Sequence, residues 1–166
     1  MNDVAPPPAL CFARVLAYAV VDSSVEFTGR TTMYVDGKEL GPVPRLALCQ
    51  NIDTENEIVL FHCDESWNVL AAGGTAATLQ GAKADAAISY RGIDGKWIDT
   101  GLSEQDARRW LEQTFPDSMC SFCGKLPIEF SSLVRGHRAG ICDHCVRKFL
   151  VEGCAPGTLL DQRLRS

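Results

Sequence analysis

Residues 45–63 are RLALCQNIDTENEIVLFHC, two apolar runs separated by a short polar segment. The first run covers residues 45–52 and the second covers residues 57–63. Apolar runs on either side of a four-residue polar loop are typical of a β-hairpin. The sequence therefore predicts an antiparallel hairpin here, within an antiparallel sheet that has one covered face.

Further strands are predicted on both sides of this hairpin. Asp36-Gly37 is a turn signal of the hairpin type. Gly73-Gly74 is expected to end the last long strand. The predicted strands are residues 10–21, 25–35, 38–40, 67–72 and 96–99.

A first helix is predicted after the paired glycines. Thr75 and Thr78 are alternative N-caps for a helix that continues to Tyr90. The residues expected on its inward stripe are Ala77, Ala84, Ala87 and Ile88.

A second helix is predicted before the cysteine-rich end of the chain. Ser103 is followed three residues later by Asp106, a near match to a capping box, and this helix is expected to continue to Phe115. Pro116 is a natural boundary between two domains. We predict that the first domain covers residues 1–116 and the second covers residues 117–166. The first domain is predicted to have an α+β fold, a mostly antiparallel sheet with about two helices.

Two C-x-x-C pairs carry the strongest functional signal. Cys120 and Cys123 form one pair, Cys142 and Cys145 form the other, and eighteen residues separate them. Two C-x-x-C turns supply four soft sulfur ligands, the set that a structural zinc site uses. We therefore predict one structural Zn²⁺ on these four cysteines. Four thiolates leave no open position for water, so chemistry at the metal is not expected.

Buried free thiols or a thioredoxin-type redox pair are the alternatives for these cysteines. A redox C-x-x-C normally occurs once and follows a strand in a βαβ unit, whereas here the motif occurs twice. Gly124 after the first pair is expected to avoid a side-chain clash in a tight turn. The repeated spacing favours zinc.

The charge is unevenly distributed along the chain. The whole chain has a formal net charge of −5; residues 1–115 contain nine Lys/Arg against sixteen Asp/Glu, and residues 116–166 contain seven against five. Four thiolates around one Zn²⁺ add −2, so the metal-loaded end is close to neutral. The basic surface of a nucleic-acid-binding module is missing from both halves, which disfavours a nucleic-acid partner.

The cysteine segment resembles a known family. The stretches CSFCGK at residues 120–125 and ICDHCV at residues 141–146, at this interval, are similar to the four-cysteine zinc-binding domain of ClpX unfoldases, over about residues 118–152. The resemblance implies a small treble-clef-like zinc finger that dimerises and helps to recruit substrates and adaptor proteins. His144 stands where the family commonly has an acidic residue. The sequence has no G-x-x-x-x-G-K-[ST] loop, so the chain is not expected to be an unfoldase by itself.

The finger carries many apolar residues for its size, so part of this surface is expected to contact another protein. The residues predicted to do so are Leu133, Ile141, Val146 and Phe149. The sequence favours a non-enzymatic zinc-binding interaction module that forms a homodimer or docks on a protein partner, for example as an adaptor in protein quality control or regulation.

An enzyme with its site near His62, stabilised by a purely structural finger, is the alternative from another class. His62 and Cys63 are adjacent in a predicted strand and are expected to point to opposite faces, which argues against a Cys/His pair. A nucleic-acid-binding regulator is a third possibility that the acidic balance disfavours. Arg14 interrupts the apolar run near the N-terminus, and no cationic segment precedes this run. We therefore predict that it is neither a signal peptide nor a membrane span. We expect a cytoplasmic location.

Overall fold

The computed structural model describes residues 5–52, 54, 56–137 and 139–152. The chain separates into two compact units, Met1–Leu111 and Glu112–Ser166, hereafter unit 1 and unit 2. No helix among the described residues is long and apolar enough to cross a bilayer.

Unit 1 is built on a curled antiparallel sheet. Its strands are β1 Ala9–Leu10, β2 Ala13–Val20, β6 Arg45–Asn51, β7 Ile58–Cys63, β8 Val69–Ala76 and β10 Ile98–Asp99. They lie in the order β1-β2-β6-β7-β8, and β10 pairs with the edge of β2 opposite β6, the same edge that β1 uses. Register shifts interrupt the pairing of β2 with β6 and of β7 with β8, and such bulges increase the twist of a sheet.

Two smaller strand pairs and two helices complete the first part of the chain. β3 Glu26–Phe27 pairs with β9 Tyr90–Arg91, and β4 Met33–Val35 pairs with β5 Lys38–Leu40 through the predicted turn at Asp36-Gly37. The helices are α1 Leu79–Ser89 and α2 Glu104–Thr114. This arrangement confirms the α+β fold.

The predicted hairpin of residues 45–63 is β6 and β7, and it lies in the middle of the sheet. Part of its loop, Asp53 and Glu55, falls outside the described residues. The expectation of one covered face is wrong, because every side chain of β7 is buried. Leu46, Leu48, Ile58 and Leu60 join a core with α1, whereas Ala47, Cys49, Val59, Phe61 and Cys63 pack on the other face with residues of β1 and β2 and with Trp67.

Helix α1 begins where Thr78, one of the two candidate caps, accepts a hydrogen bond from Gly81 N–H at 3.1 Å. Of the predicted inward stripe, Ala87 is half-buried and packs against the core, whereas Ala77, Ala84 and Ile88 are exposed, so the prediction is wrong for these three. The fully buried residues of the helix are Ala82, Ala86 and Ser89, which follow one another at helical spacing. Small residues at the buried positions let the helix pack closely on the sheet.

Two strand boundaries also differ from the prediction. Cys11 and Phe12 have positive φ angles of 47° and 63°, so the predicted strand of residues 10–21 divides into β1 and β2. Gly73-Gly74 does not end a strand but lies inside β8. A Cβ at Gly73 would lie 3.3 Å from Leu60 O and 3.3 Å from His62 Cε1, so the lack of a side chain there permits a close approach between β8 and β7.

The capping box of α2 is confirmed. Asp106 N–H donates to Ser103 Oγ at 3.2 Å, and Ser103 N–H donates to Asp106 Oδ2 at 3.0 Å. The two residues satisfy each other's backbone donors, which fixes the start of the helix. The boundary between the two units falls within this helix, a few residues before Pro116.

We expect residues 1–115 to fold without the rest of the chain, because they contain both cores of the sheet and the whole of α2. A truncated protein should show one cooperative thermal transition by circular dichroism. A broad, non-cooperative loss of signal would contradict the independence of unit 1.

Candidate metal centre

The first cysteine pair lies in a tight turn. Gly124 N–H donates to Cys120 O at 2.9 Å, and Cys120 N–H donates to Lys125 O at 3.0 Å. Gly124 has a φ of 68°, and a Cβ there would meet nothing within 4 Å. The expected steric clash is therefore not the reason for glycine at this position. The left-handed backbone, which glycine adopts without penalty, is the reason.

The second pair follows a short hairpin. β11 Leu133–Arg135 pairs with β12 Gly140–Cys142, and Cys142 is the last residue of β12. Helix α3, Asp143–Glu152, begins directly afterwards, so Cys145 lies in its first turn. The Asp143 carboxylate accepts hydrogen bonds from Ser131 N–H and Ser132 N–H, which ties the start of α3 to the chain before β11.

Backbone contacts join the two halves of the finger. Ser121 N–H donates to Gly140 O at 2.8 Å, and Gly140 N–H donates to Ser121 Oγ at 3.0 Å. A Cβ at Gly140 would lie 2.8 Å from Leu133 Cδ2, so a side chain at this strand position would require the Leu133 side chain to move. These contacts place the first turn directly beside β12 and its cysteine.

The four sulfurs form a compact cluster. All lie within 4.8 Å of one another, with Cys120 Sγ 3.8 Å from Cys145 Sγ and Cys123 Sγ 3.7 Å from Cys142 Sγ. A tetrahedron of sulfurs at about 2.3 Å from zinc has edges of about 3.8 Å. A disulfide would need about 2.05 Å. The donor set and its spacing thus fit a structural zinc ion held by Cys120, Cys123, Cys142 and Cys145.

The thiols of the cluster differ in acidity. Burial raises the pKa of Cys120, but hydrogen bonds from the backbone N–H groups of Cys142, Cys123 and Phe122 outweigh burial and lower the pKa to about 6. Cys142 N–H lies 3.3 Å from Cys120 Sγ. Burial, with help from the neighbouring thiols, raises the pKa of Cys145 to about 12. Because zinc binds thiolates, loading the site releases protons from such thiols.

The residues predicted to contact a partner have different environments. Leu133 and Ile141 are half-buried and pack against the cysteine cluster. Val146 is half-buried on α3, and Phe149 is 52% exposed. Sequence reasoning did not select Phe122, which is 61% exposed and stacks edge-on against Phe149 with ring centroids 5.5 Å apart. Phe122 lies between the two cysteines of the first C-x-x-C pair, and this is the sequence feature that could have identified it.

His62 and Cys63 lie on opposite faces of β7, as predicted. The His62 ring is 5.8 Å from that of Tyr90, a member of the core next to α1, whereas Cys63 packs in the other core. Burial lowers the pKa of His62 to about 4. The structure therefore does not bring these two residues together as a catalytic pair.

Comparison with protein-family models finds a match to the cysteine-rich segment. Residues 118–150 match the family model of the ClpX C4-type zinc finger. No curated protein and no solved structure matches the chain. The match leaves the preceding residues, including the sheet, unassigned. The family match and the close clustering of the four cysteine sulfurs both indicate that residues 118–150 form a ClpX-type C4 zinc finger with a structural zinc site.

Proposed function

We propose that the chain is a non-enzymatic interaction module in which the zinc finger associates with a second copy of the same chain. The observation that carries the proposal is an exposed aromatic pair on the finger, Phe122 stacked on Phe149. Finger domains of the ClpX type are protein-interaction domains, which supports the same assignment.

The aromatic pair belongs to a larger apolar patch, which consists of Phe122, Val146, Phe149 and Leu150. Val146, Phe149 and Leu150 are spaced three and four residues apart, so they share one face of α3. Leu150 is 63% exposed. Exposed aromatic and aliphatic side chains that lie together are the usual anchors of protein interfaces.

The size of the finger explains why this patch is uncovered. Its cysteine cluster, Cys120, Cys142 and Cys145, packs with the half-buried residues Phe130, Leu133 and Ile141, and the apolar residues Met119 and Leu126 are also buried. A unit of this size cannot enclose every large apolar side chain, and it depends on metal for stability. A two-fold homodimer would bury the same patch on both copies and needs no further partner.

The acidic unit 1 would supply specificity in this arrangement, for example as an adaptor in protein quality control or regulation in the cytoplasm. A pull-down with the full chain and with a chain lacking residues 117–166 tests whether the finger is the docking element. A partner captured equally by both proteins would assign recognition to unit 1 alone.

The Phe149→Asp substitution is expected to shift the chain from dimer to monomer, because it places a charge in the centre of the apolar patch. We expect the substitution to raise the dissociation constant of the dimer by at least about a hundredfold. Sedimentation velocity over a range of protein concentrations measures this change. Tyr34→Asp is the matched control, since Tyr34 is an exposed aromatic residue of unit 1 at 68% exposure.

Each variant must retain one zinc per chain for the comparison to be valid. If the wild-type chain remains monomeric at high concentration and Phe149→Asp leaves its zinc content, stability and partner binding unchanged, the patch is not an interface. The proposed homodimer is then wrong.

A further inference from the structure

The four cysteines of the finger differ in their access to solvent. Cys120, Cys142 and Cys145 are 2%, 0% and 8% exposed, whereas Cys123 is exposed. Cys123 directly follows Phe122, which is itself 61% exposed, in the tight turn of the first pair. A small molecule in solution can therefore reach one thiolate of the set, while the finger encloses the other three.

The two sulfurs of the first pair also differ in their hydrogen bonds. Cys120 Sγ accepts hydrogen bonds from the backbone N–H groups of Phe122, Cys123 and Cys142. The backbone donor to Cys123 Sγ is the N–H group of Lys125. A hydrogen bond to a thiolate stabilises its negative charge and so lowers its nucleophilicity. Cys123 therefore keeps more nucleophilic character than Cys120.

A second thiol of the set lies within reach of Cys123. Cys142 Sγ is 3.7 Å from Cys123 Sγ, although the two residues are nineteen positions apart in the chain. Cys142 is fully buried at the end of β12, so a molecule in solution does not attack it directly. An accessible thiolate beside a second thiol that can react with it is the arrangement found in redox-sensitive cysteines.

We propose that Cys123 is the residue at which a hydroperoxide oxidises the finger, with Cys142 as the resolving cysteine. The Cys123 thiolate attacks one oxygen of hydrogen peroxide, the O–O bond breaks, and hydroxide leaves. The sulfur loses two electrons to the peroxide and becomes a sulfenic acid. The Cys142 thiolate then attacks this sulfur, an S–S bond forms, the S–O bond breaks, and a second hydroxide leaves. Both hydroxides take up protons from the solvent and become water.

The disulfide removes two of the four thiolates from the metal site. The remaining pair cannot complete a tetrahedral site, so the finger loses its zinc and its fold. Reduction of the disulfide by a thiol regenerates all four ligands. The reaction takes place within one chain and does not require the proposed homodimer.

The double variant Cys11→Ala with Cys154→Ala provides the background for the test. Cys11 is exposed in unit 1, and Cys154 lies outside the described residues. Cys49 and Cys63 are buried, and burial raises the pKa of both thiols, so they react slowly. The zinc-loaded background chain is treated with hydrogen peroxide in the presence of dimedone, which traps sulfenic acids. Peptide mass spectrometry then identifies the labelled cysteine.

Dimedone is expected to label Cys123 at least about fivefold more than Cys120, Cys142 or Cys145. Without dimedone, peroxide should release the zinc, which a chromogenic chelator measures. Peptide mapping without reductant should then find a disulfide between Cys123 and Cys142. A thiol reductant with added zinc should restore the metal content.

Two ligand variants separate the exposed position from a buried one. Cys123→His and Cys145→His both leave three cysteines and one histidine, which is also a structural zinc set. We expect peroxide to release zinc at least about tenfold more slowly from Cys123→His than from Cys145→His, because only the second variant keeps the exposed thiolate. Each variant is compared after it has been shown to hold one zinc per chain. The labelling experiment needs neither variant.

The proposal is wrong if dimedone labels a buried cysteine of the set as strongly as Cys123, or if peroxide leaves the zinc bound. Equal rates of zinc release from Cys123→His and Cys145→His would also overturn it. A disulfide that joins Cys123 to another cysteine would overturn the role of Cys142. A monomeric wild-type chain would contradict the homodimer and leave the labelling result unaffected, so the two proposals fail separately.

Discussion

The double variant Cys142→Ala with Cys145→Ala is expected to lose its zinc and the fold of the finger. These residues supply two of the four sulfurs, and the remaining pair cannot complete a tetrahedral site. Structural zinc contributes about 10 to 16 kcal/mol of apparent binding free energy in finger peptides, and that energy is folding energy. Metal analysis should find less than about 0.1 zinc per chain, and the amide resonances of α3 should collapse to unfolded positions.

Cys11→Ala provides the control for this experiment. Cys11 is exposed and lies in unit 1, outside the sulfur cluster. The control should retain one zinc per chain and an unchanged spectrum. Stoichiometric zinc in the double variant would contradict the assignment of the ligands.

Lowering the pH from 7 to 4 is expected to reduce the stability of unit 1 by about 3 kcal/mol through His62 alone. An unfolded histidine takes up its proton near pH 6.5, whereas burial lowers the pKa of folded His62 to about 4. Above pH 6.5 the ring is neutral in both states. As the pH falls below 6.5 the unfolded state binds a proton that the folded state does not, and the loss levels off below about pH 4.

Urea unfolding of wild type and His62→Phe at pH 7 and pH 4 measures this effect. All three tryptophans lie in unit 1, so their fluorescence reports its unfolding. Asp22, Asp64 and Asp106 have lowered pKa values through their hydrogen bonds and also weaken the fold in acid, but they do so equally in both proteins. The stability of the variant relative to wild type should therefore rise by about 3 kcal/mol at pH 4. An unchanged difference would show that His62 is not buried as a neutral group.

The parts of the structure that depend on local patterns could be predicted from the sequence. The β6–β7 hairpin follows from two apolar runs around a polar loop, α2 follows from the Ser103 and Asp106 pair, and the zinc ligands follow from their spacing. In each case the residues that determine the feature are neighbours in the chain or belong to a repeated motif.

The parts that depend on tertiary packing could not be predicted in this way. Gly73-Gly74 has the pattern of a strand end, yet β8 continues through it because the close approach to His62 and Leu60 favours glycine. The buried stripe of α1 is set by which face meets the sheet, and the weak amphipathicity of an alanine-rich helix does not reveal that face. A cavity beside His62 is lined by four separate segments, which contain Thr31, Leu60 with His62, Gly73-Gly74, and residues of α1, and these residues share no sequence pattern.

The complete burial of β7 also has a consequence for the unfolded chain. Ile58–Cys63 is a six-residue segment without charge, proline or glycine, and it is rich in residues that favour strands. Exposed during synthesis or after loss of the fold, such a segment is prone to form intermolecular β-sheet. Glu57 stands on one side of it and Asp64 and Glu65 on the other. Charges at the ends of an apolar strand oppose its stacking with other copies, so these three acids act as gatekeepers against aggregation.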